Sequence, residues 1–358
     1  MINNNLPKSK NADVVAPFNT DPKLISYIKV IEENSYLDNY SHNCFVIFIS
    51  KRGKLTLSYY DNFALINYDL DNYEIIIKKY IKCDYSGIYY YYDKKNNNDI
   101  LLISNIKNRS IEIYNVEELI YMHKITLFNE KNNIIKYILV LNYRNNEILI
   151  IGNGYFSCLN NDKTEVYKIN GKCECTFKNS FSGVISYFDV YSDDKESKYY
   201  FIGYNKEKIL LFDYDNRSIV NEYYDKMHKN YYYGCAVNIS QICIQTYKDK
   251  KKSFLIAGYD NGKLNVWNFS TSDLTCKIYL KGKINTICLW NLNFCFIGLD
   301  NSNILLFDIT NERKIKTFKI HNNGVSSIKK INHPQYGNCI ISRGFKKDKI
   351  ILWFNRNN

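Results

Sequence analysis

Residues 257–269, AGYDNGKLNVWNF, contain a turn and a strand whose pattern recurs along the chain. The turn-forming residues Asp260, Asn261 and Gly262 come first, and the strand-like run that follows ends on Trp267. Residues 298–309, GLDNSNILLFDI, repeat this arrangement. Seven aromatic residues close such a run: Tyr68, Tyr114, Tyr167, Phe212, Trp267, Phe307 and Trp353. They stand 40 to 55 residues apart, and self-similarity at that period predicts a propeller or a solenoid.

The turn before each aromatic residue supports the same repeat. Seven positions back from the aromatic residue, five units carry Asp or Asn: Asp61, Asn160, Asn205, Asp260 and Asp300. Nine positions back, four units carry glycine: Gly203, Gly258, Gly298 and Gly344. Asp and Asn side chains bond the backbone of tight turns, and glycine permits close backbone approach at a strand end. Two independent coincidences at one register indicate a real structural unit.

Strand counting predicts how the repeats close. Each of the first six units divides into four short β-type runs, but the seventh has only GVSSIKKI, GNCIIS and KIILWF. The run KLISYIKVI, residues 23–31, lies before the first unit and belongs to no other. We therefore predict an all-β, seven-bladed β-propeller of four-stranded antiparallel blades, closed by an N-terminal strand that completes the last blade. Residues 1–22 would be a flexible polar arm and residues 23–358 a single propeller domain.

This register resembles that of the WD-repeat β-propeller family over residues 23–354. The Trp-Asp pair itself is absent, and pairs such as Tyr68-Asp69 and Phe307-Asp308 stand in its place. The resemblance implies structural roles for these residues: His42, Ser58, Asp61, Asp260, Asp300, His321, Trp267 and Trp353. In the first unit it implies a hydrogen-bond network of His42, Ser58, Asp61 and Tyr68. In the last unit His321 and Trp353 match, but Ser342 and Asp348 each stand one place off the register.

Composition bounds the function without naming it. The chain has 358 residues, 46% of them hydrophobic, and its 34 Tyr and 19 Phe favour strands. The net charge of +12 has two interpretations: a solvated basic surface, or attraction to nucleic-acid phosphates. The basic residues are spread over many loops, whereas a nucleic-acid footprint is normally clustered on one face.

The cysteines and the hydropathy pattern suggest an intracellular protein, cytoplasmic or nuclear. The 11 Cys are odd in number and irregularly spaced, which favours reduced thiols. Cys173 and Cys175 would share one face of a strand, but no second pair at zinc-ligand spacing accompanies them. No apolar run is long enough to span a membrane, and the N-terminus lacks a signal-peptide pattern. We expect no metal site and no membrane insertion.

The chain carries no recognisable catalytic motif. It lacks a phosphate-binding loop, a dinucleotide fingerprint, a nucleophile elbow and a zinc-protease helix. We therefore expect a protein that is not an enzyme and uses no cofactor.

Function is then expected on loops held by a rigid ring. Residues 223–235, YYDKMHKNYYYGC, form a long connection rich in aromatic rings and cations, which are enriched at binding hot spots. Residues 152–161 lengthen a turn that would lie on the same face. The candidate partner-binding residues are Tyr224, Lys226, His228, Lys229, Tyr231, Tyr232, Tyr233, Tyr155 and Phe156. Both loops also have a simpler interpretation: residues 223–235 as a long solvated connector, and Tyr155 and Phe156 as side chains that only plug the mouth of the ring.

The leading functional hypothesis, which the family resemblance implies, is a monomeric scaffold or adaptor that binds other proteins within a multiprotein complex. The alternative is an RNA- or ribonucleoprotein-associated propeller that uses its basic surface.

Overall fold

A computed structural model describes most of the strands and the turns between them. The described residues are 27–35, 45–61, 64–81, 85–93, 96–105, 110–126, 134–143, 146–154, 163–168, 173–178, 190–193, 198–205, 208–213, 216, 218–225, 239–245, 253–291, 293–345 and 348–354. The predicted arm, residues 1–22, lies outside them. The chain divides into two compact units, one of Met1–Ile2 and Phe128–Ile287, the other of Asn3–Leu127 and Cys288–Asn358.

The regular elements of the described residues are strands, arranged in four-stranded antiparallel sheets. The N-terminal strand is β1 (Tyr27–Ser35). The first sheet is β2 (Phe45–Ile49), β3 (Leu55–Asp61), β4 (Ala64–Asp69) and β5 (Glu74–Tyr80). The second is β6 (Tyr85–Asp93), β7 (Asn98–Asn105), β8 (Ser110–Asn115) and β9 (Tyr121–Thr126). The third is β10 (Ile134–Tyr143), β11 (Asn146–Gly154), β12 (Lys163–Lys168) and β13 (Cys173–Lys178).

The remaining strands continue the same up-and-down order. The fourth sheet is β14 (Val190–Asp193), β15 (Lys198–Asn205), β16 (Lys208–Asp213) and β17 (Ser218–Tyr223). The fifth is β18 (Ile239–Gln245), β19 (Phe254–Tyr259), β20 (Lys263–Asn268) and β21 (Leu274–Tyr279). The sixth is β22 (Ile284–Leu289), β23 (Phe294–Leu299), β24 (Asn303–Asp308) and β25 (Arg313–Lys319). The seventh combines β26 (Val325–His333), β27 (Gly337–Gly344) and β28 (Asp348–Phe354) with β1, in the order β1-β28-β27-β26.

The repeated aromatic residue has the same place in every sheet. It lies in the third strand, opposite an apolar residue of the second strand. The pairs are Leu57–Tyr68, Leu101–Tyr114, Leu149–Tyr167, Phe201–Phe212, Leu255–Trp267, Cys295–Phe307 and Ile340–Trp353. Aromatic and apolar cross-strand pairs stabilise a sheet, which accounts for an aromatic residue at this position.

A β-bulge beside the aromatic residue marks six of the seven sheets. In each, the pairing of third and fourth strands slips just before the aromatic residue, as between Val266 and Trp267 or between Leu306 and Phe307. A bulge increases the local bend and twist of a strand. In the seventh sheet Trp353 pairs regularly with Ile28, because the outer strand there comes from the N-terminus and not through a tight turn.

The strand β1 supplies the outer strand that the seventh repeat lacks. It runs antiparallel to β28, with Tyr27 opposite Phe354 and Val30 opposite Ile351. The sequence places this strand at residues 23–31; the structure describes it over Tyr27–Ser35, and residues 23–26 lie outside the described part of the chain. Pairing protects the edge of β28, which would otherwise present unpaired backbone groups.

Burial follows the order of the strands. All residues of the third strand β4 are buried, whereas most of the fourth strand β5 is exposed. The buried strand β24 and the exposed, lysine-rich β25 repeat this contrast in the sixth sheet. An apolar core cluster joins the first and seventh sheets through residues that include Phe45, Tyr68, Ile341 and Phe354.

The predicted first strand of the fourth unit, GVISYFDV at residues 183–190, lies outside the described residues except for Val190, the first residue of β14. In the described part, β14 pairs with β15, with Val190 opposite Phe201 and Asp193 opposite Lys198. Residues 181–189 lie outside the described part of the chain.

Candidate interaction surface

Most residues predicted to bind a partner lie outside the described residues. These are Lys226, His228, Lys229, Tyr231, Tyr232, Tyr233, Tyr155 and Phe156, and the structural candidate His42 joins them. Asp61 is described only as the last residue of strand β3. Tyr224 is described, and 40% of it is exposed.

The start of the long loop is held firmly by its neighbours. The Tyr223 hydroxyl donates a hydrogen bond of 2.7 Å to the Phe269 carbonyl, and the two rings stack. Asp225 is buried and pairs with Lys277, whose Nζ lies 2.7 Å from Oδ2. The exposed Tyr224 therefore projects from a fixed strand end.

A buried polar network holds the seventh sheet. The His321 Nε2 atom lies 2.8 Å from Ser342 Oγ, and Trp353 Nε1 donates to the same oxygen at 2.7 Å. His321 Nδ1 lies 3.5 Å from Asp348 Oδ1. Because Asp348 can only accept, the tautomer with a proton on Nδ1 fits, and Ser342 then donates to Nε2. Ser342 is fully buried, so this Ser–His–Asp arrangement suits a structural role.

Asp348 connects this network to the loop that leads into β26. Its Oδ2 atom accepts hydrogen bonds of 3.0 Å from the backbone N–H groups of Asn322 and Asn323. Burial alone would raise the pKa of Asp348, but hydrogen bonds from His321 and from backbone N–H groups outweigh it and hold the pKa below its usual value. A Cβ added at Gly344 would overlap the Asp348 carboxylate, so glycine is needed there.

Ser342 and Asp348 stand one place off the repeat register in the sequence, yet both belong to this network. The pairing of the strands, and not the count along the sequence, sets the place of Ser342: it stands two residues beyond Ile340, which is opposite Trp353. In the first sheet the same count from Leu57 gives Tyr59 and not Ser58.

Ser58 instead bonds the neighbouring residue of the third strand. Its hydroxyl donates to Asn67 Oδ1 at 2.6 Å, and Asn67 Nδ2 donates to the Val116 carbonyl at 2.7 Å. The hydroxyl of Ser58 therefore bonds Asn67, opposite it on β4, and not the predicted partner Tyr68.

The predicted turn residues Asp260 and Asp300 lie between second and third strands, as expected from the repeat. In both turns the next residue caps the backbone: Asn261 Oδ1 accepts from the Lys263 N–H at 3.0 Å, and Asn301 Oδ1 accepts from the Asn303 N–H at 3.3 Å. The backbone of Asp300 also lies against Gly324, where a side chain would collide with it.

Capping of the turn between third and fourth strands was missed in the sequence. The residue after the repeated aromatic accepts hydrogen bonds from this turn's backbone: Asp69, Asn115, Asp213, Asn268 and Asp308. The signal was present, because Asp or Asn follows the aromatic residue in five units.

A cleft of about 330 Å³ opens between turns of the first and second sheets. Its lining residues are Ile49, Lys51, Arg52, Tyr90, Tyr92, Asn97 and Asp99. The turn between β2 and β3 carries Lys51 and Arg52 at its tip, and Gly53 closes it with a φ of 78°. Such a positive φ is readily adopted only by glycine.

The cleft has an acidic floor that is already hydrogen-bonded. Asp99 Oδ2 accepts from the Lys51 backbone N–H at 2.7 Å, and Oδ1 accepts from the Tyr90 hydroxyl at 2.8 Å. Burial, and then the hydrogen bond to Asp99, raise the pKa of Tyr90 well above its usual value, so its phenol remains a donor. Phe48 stacks on Tyr90 with ring centroids 4.0 Å apart.

The rim of the cleft is positively charged and more exposed. Glu117 Oε1 lies 3.3 Å from Lys51 Nζ and 3.1 Å from Arg52 Nε. The Arg52 side chain is nevertheless 69% exposed. This cleft is built from turns between first and second strands, whereas the predicted partner-binding loops follow a second or a fourth strand in the sequence.

The described residues contain neither a metal-ligand cluster nor a membrane-spanning helix. Within the described ranges, no group of three or more His, Cys, Asp or Glu residues could hold a metal ion. Among the same residues, no helix has the length and apolarity needed to cross a membrane.

Comparison with known proteins identifies the fold. No protein-family model matches the chain, and no curated protein matches it. Among solved structures, BBS1N in complex with ARL6DN, soaked with lead, matches with a TM-score of 0.67 and 11% identity over 94% of this chain and 97% of that chain. Its mercury-soaked counterpart gives a TM-score of 0.66, with 12% identity over 93% and 97%.

A third structure supports the same class. Raptor from Chaetomium thermophilum matches with a TM-score of 0.64 and 11% identity over 92% of this chain, which spans 29% of Raptor. These neighbours are β-propeller proteins. The chain therefore has a β-propeller fold, built from antiparallel four-stranded sheets.

Proposed function

We propose that this chain is a non-enzymatic adaptor that binds other proteins inside the cell. Its scaffold would be a monomeric, closed, seven-bladed propeller of the WD-repeat type, in which β1 completes the last blade. The repeated aromatic position and the β1–β28 pairing support this architecture. A ring of that kind holds its loops in fixed positions, which is what a binding platform needs.

The observation that carries the adaptor proposal is the cleft between the first two sheets. It combines exposed cations, tyrosines and a preformed cavity on turns fixed by hydrogen bonds. Aromatic and arginine side chains are enriched at protein-binding hot spots. The similar BBS1N structure is a complex with another protein, ARL6DN, which makes protein binding a reasonable use of this fold.

Crosslinking mass spectrometry on the tagged full-length chain from a native extract tests the proposal. We expect reproducible crosslinks from neighbouring proteins to propeller turns, including lysines near the cleft such as Lys51 and Lys54. An extract in which only RNA is recovered, with no crosslinked protein, would contradict the adaptor function.

The predicted loop 223–235 provides a second arm of this experiment. Replacing Lys226 and Lys229 by Glu, and Tyr231, Tyr232 and Tyr233 by Ala, should weaken partner recovery while the midpoint of thermal unfolding stays unchanged. Undiminished recovery would remove this loop from the binding surface and leave the cleft as the candidate.

A further inference from the structure

We infer that the cleft between the first two sheets binds an acidic peptide segment, and that Arg52 binds a side-chain carboxylate of this segment. The inference rests on the proposed adaptor function and specifies the chemistry of the partner. At the rim of the cleft, the exposed Arg52 forms an ion pair with Glu117.

The guanidinium of Arg52 forms an ion pair with Glu117 at the rim of the cleft. Its Nε lies 3.1 Å from Glu117 Oε1, while 69% of the Arg52 side chain stays exposed. The exposure of this side chain leaves the guanidinium accessible to a ligand. Two parallel N–H groups of a guanidinium match the two oxygens of a carboxylate, and such a pair adds specificity as well as energy.

Glu117 is itself positioned by its own turn. Its backbone N–H donates to Asn115 Oδ1 at 2.8 Å, in the turn between β8 and β9. The same carboxylate oxygen lies 3.3 Å from Lys51 Nζ. Arg52 is therefore preorganised by a neighbouring sheet, which lowers the entropy cost of binding a ligand.

The negative charge of Asp99 at the floor of the cleft directs an acidic ligand to the rim. Both oxygens of Asp99 already accept hydrogen bonds, from the Lys51 N–H and from the Tyr90 hydroxyl. Its negative charge keeps a second carboxylate away from the floor and leaves the outer position beside Arg52. The Tyr92 ring forms part of the wall there.

The size and polarity of the cleft favour a peptide over a cofactor. Its volume of about 330 Å³ is near the lower end of ligand pockets, which are mostly apolar. Ile49 is the one aliphatic residue among its lining residues, which otherwise carry charges, an amide or phenols. The chain's net charge of +12 would also steer an acidic partner toward it.

Fluorescence anisotropy with a labelled hexaglutamate peptide tests the inference on the full-length chain. We expect the Arg52→Gln variant to bind at least tenfold more weakly, because charge-assisted hydrogen bonds are lost. Arg52→Lys should also lose most of the affinity for the peptide, since lysine keeps the positive charge but lacks the two parallel N–H groups of a guanidinium. Thermal unfolding should be unchanged, as Arg52 is largely exposed.

Arg313→Gln is the matched control, because it removes the same charge from the exposed strand β25. Equal losses in Arg52→Gln and Arg313→Gln would overturn the inference in favour of general charge attraction. Wild-type affinity in Arg52→Lys would also overturn it. Tighter, Arg52-dependent binding of a labelled oligouridylate would assign the cleft to nucleic acid instead.

The same variants separate this inference from the adaptor proposal. If native partners remain crosslinked to the propeller in Arg52→Gln at wild-type yield, the adaptor function stands and the acidic-peptide site is refuted. If no protein is crosslinked to the wild-type chain, the adaptor function fails whatever the peptide titration shows.

Discussion

Trp267 and Trp353 occupy the same place in their sheets but have different surroundings. Trp353 donates its indole N–H to Ser342, whereas Trp267 is fully buried and its Nε1 has no hydrogen-bond partner among the described residues. The residue two beyond the cross-strand partner is Ser342 in the seventh sheet and Ala257 in the fifth. An unsatisfied buried donor costs free energy, so the fifth sheet is locally destabilised.

The first prediction concerns the variant Ala257→Ser, which would supply a hydrogen-bond acceptor for the Trp267 N–H. Ala257→Ser should raise the free energy of unfolding by about 1 kcal/mol, because its hydroxyl would accept the Trp267 N–H. Conversely, Ser342→Ala should lower it by about 1–3 kcal/mol, since Trp353 and His321 lose their shared partner. Chemical denaturation of both variants measures these effects. A destabilised Ala257→Ser protein would show that Trp267 needs no acceptor at this place.

The second prediction concerns pH and Asp348. Its pKa lies below the usual value in the folded chain, so its contribution is present above the unfolded pKa and is lost as pH falls through the folded one. Asp348→Asn should therefore destabilise the protein most near pH 7, where backbone donors of Asn322 and Asn323 lose a charged acceptor. The difference from wild type should shrink below about pH 4. Urea denaturation across pH checks this, and a pH-independent difference would contradict it.

At the scale of the element, the turn between third and fourth strands repeats in detail. Five residues beyond the aromatic residue, the backbone has a positive φ in four described turns: 62° at Tyr73, 50° at Leu119, 60° at Ser272 and 53° at Glu312. This conformation is costly for residues other than glycine. The capping Asp or Asn at the start of the turn offsets part of that cost through its backbone hydrogen bonds.

The third prediction follows from this strained position. Glu312 is exposed, so replacing it removes no packing. Glu312→Gly should raise the free energy of unfolding by about 0.5–1 kcal/mol, the relief of strain less the entropy cost of glycine. Glu312→Ala, which keeps the strained backbone, is the control and should change little. A lower unfolding midpoint for Glu312→Gly would refute the strain at this turn.

The elements were more predictable than the site. The repeated aromatic residues located the third strand of every sheet, because cross-strand packing imposes a local signature. Tyr73 and Leu119 gave no sign of their positive φ, since neither belongs to the residue types that favour it. The cleft could not be predicted either. Lys51 and Asp99 stand 48 positions apart, and only tertiary structure brings their turns together.

At the scale of the molecule, the first and seventh sheets share more than one contact. Buried His333, in β26, lies 3.0 Å from the Leu70 carbonyl and 3.2 Å from the Tyr73 hydroxyl through its Nε2 atom. The Gln335 backbone N–H donates to its Nδ1 at 3.1 Å, which identifies Nε2 as the protonated nitrogen. These contacts and the shared core place the end of the repeat array beside its beginning.

The N-terminal strand completes the sheet of β26, β27 and β28, and we propose that this pairing closes the propeller. Hydrogen–deuterium exchange of β28 in two truncated chains tests it most directly. Removing residues 1–22 should leave the amides of Ile350–Trp353 protected. Removing residues 1–35 should expose every second one of these amides, those whose N–H groups point to β1 and not to β27, and should lower the unfolding midpoint. Equal protection of β28 in both truncated chains would contradict the closure.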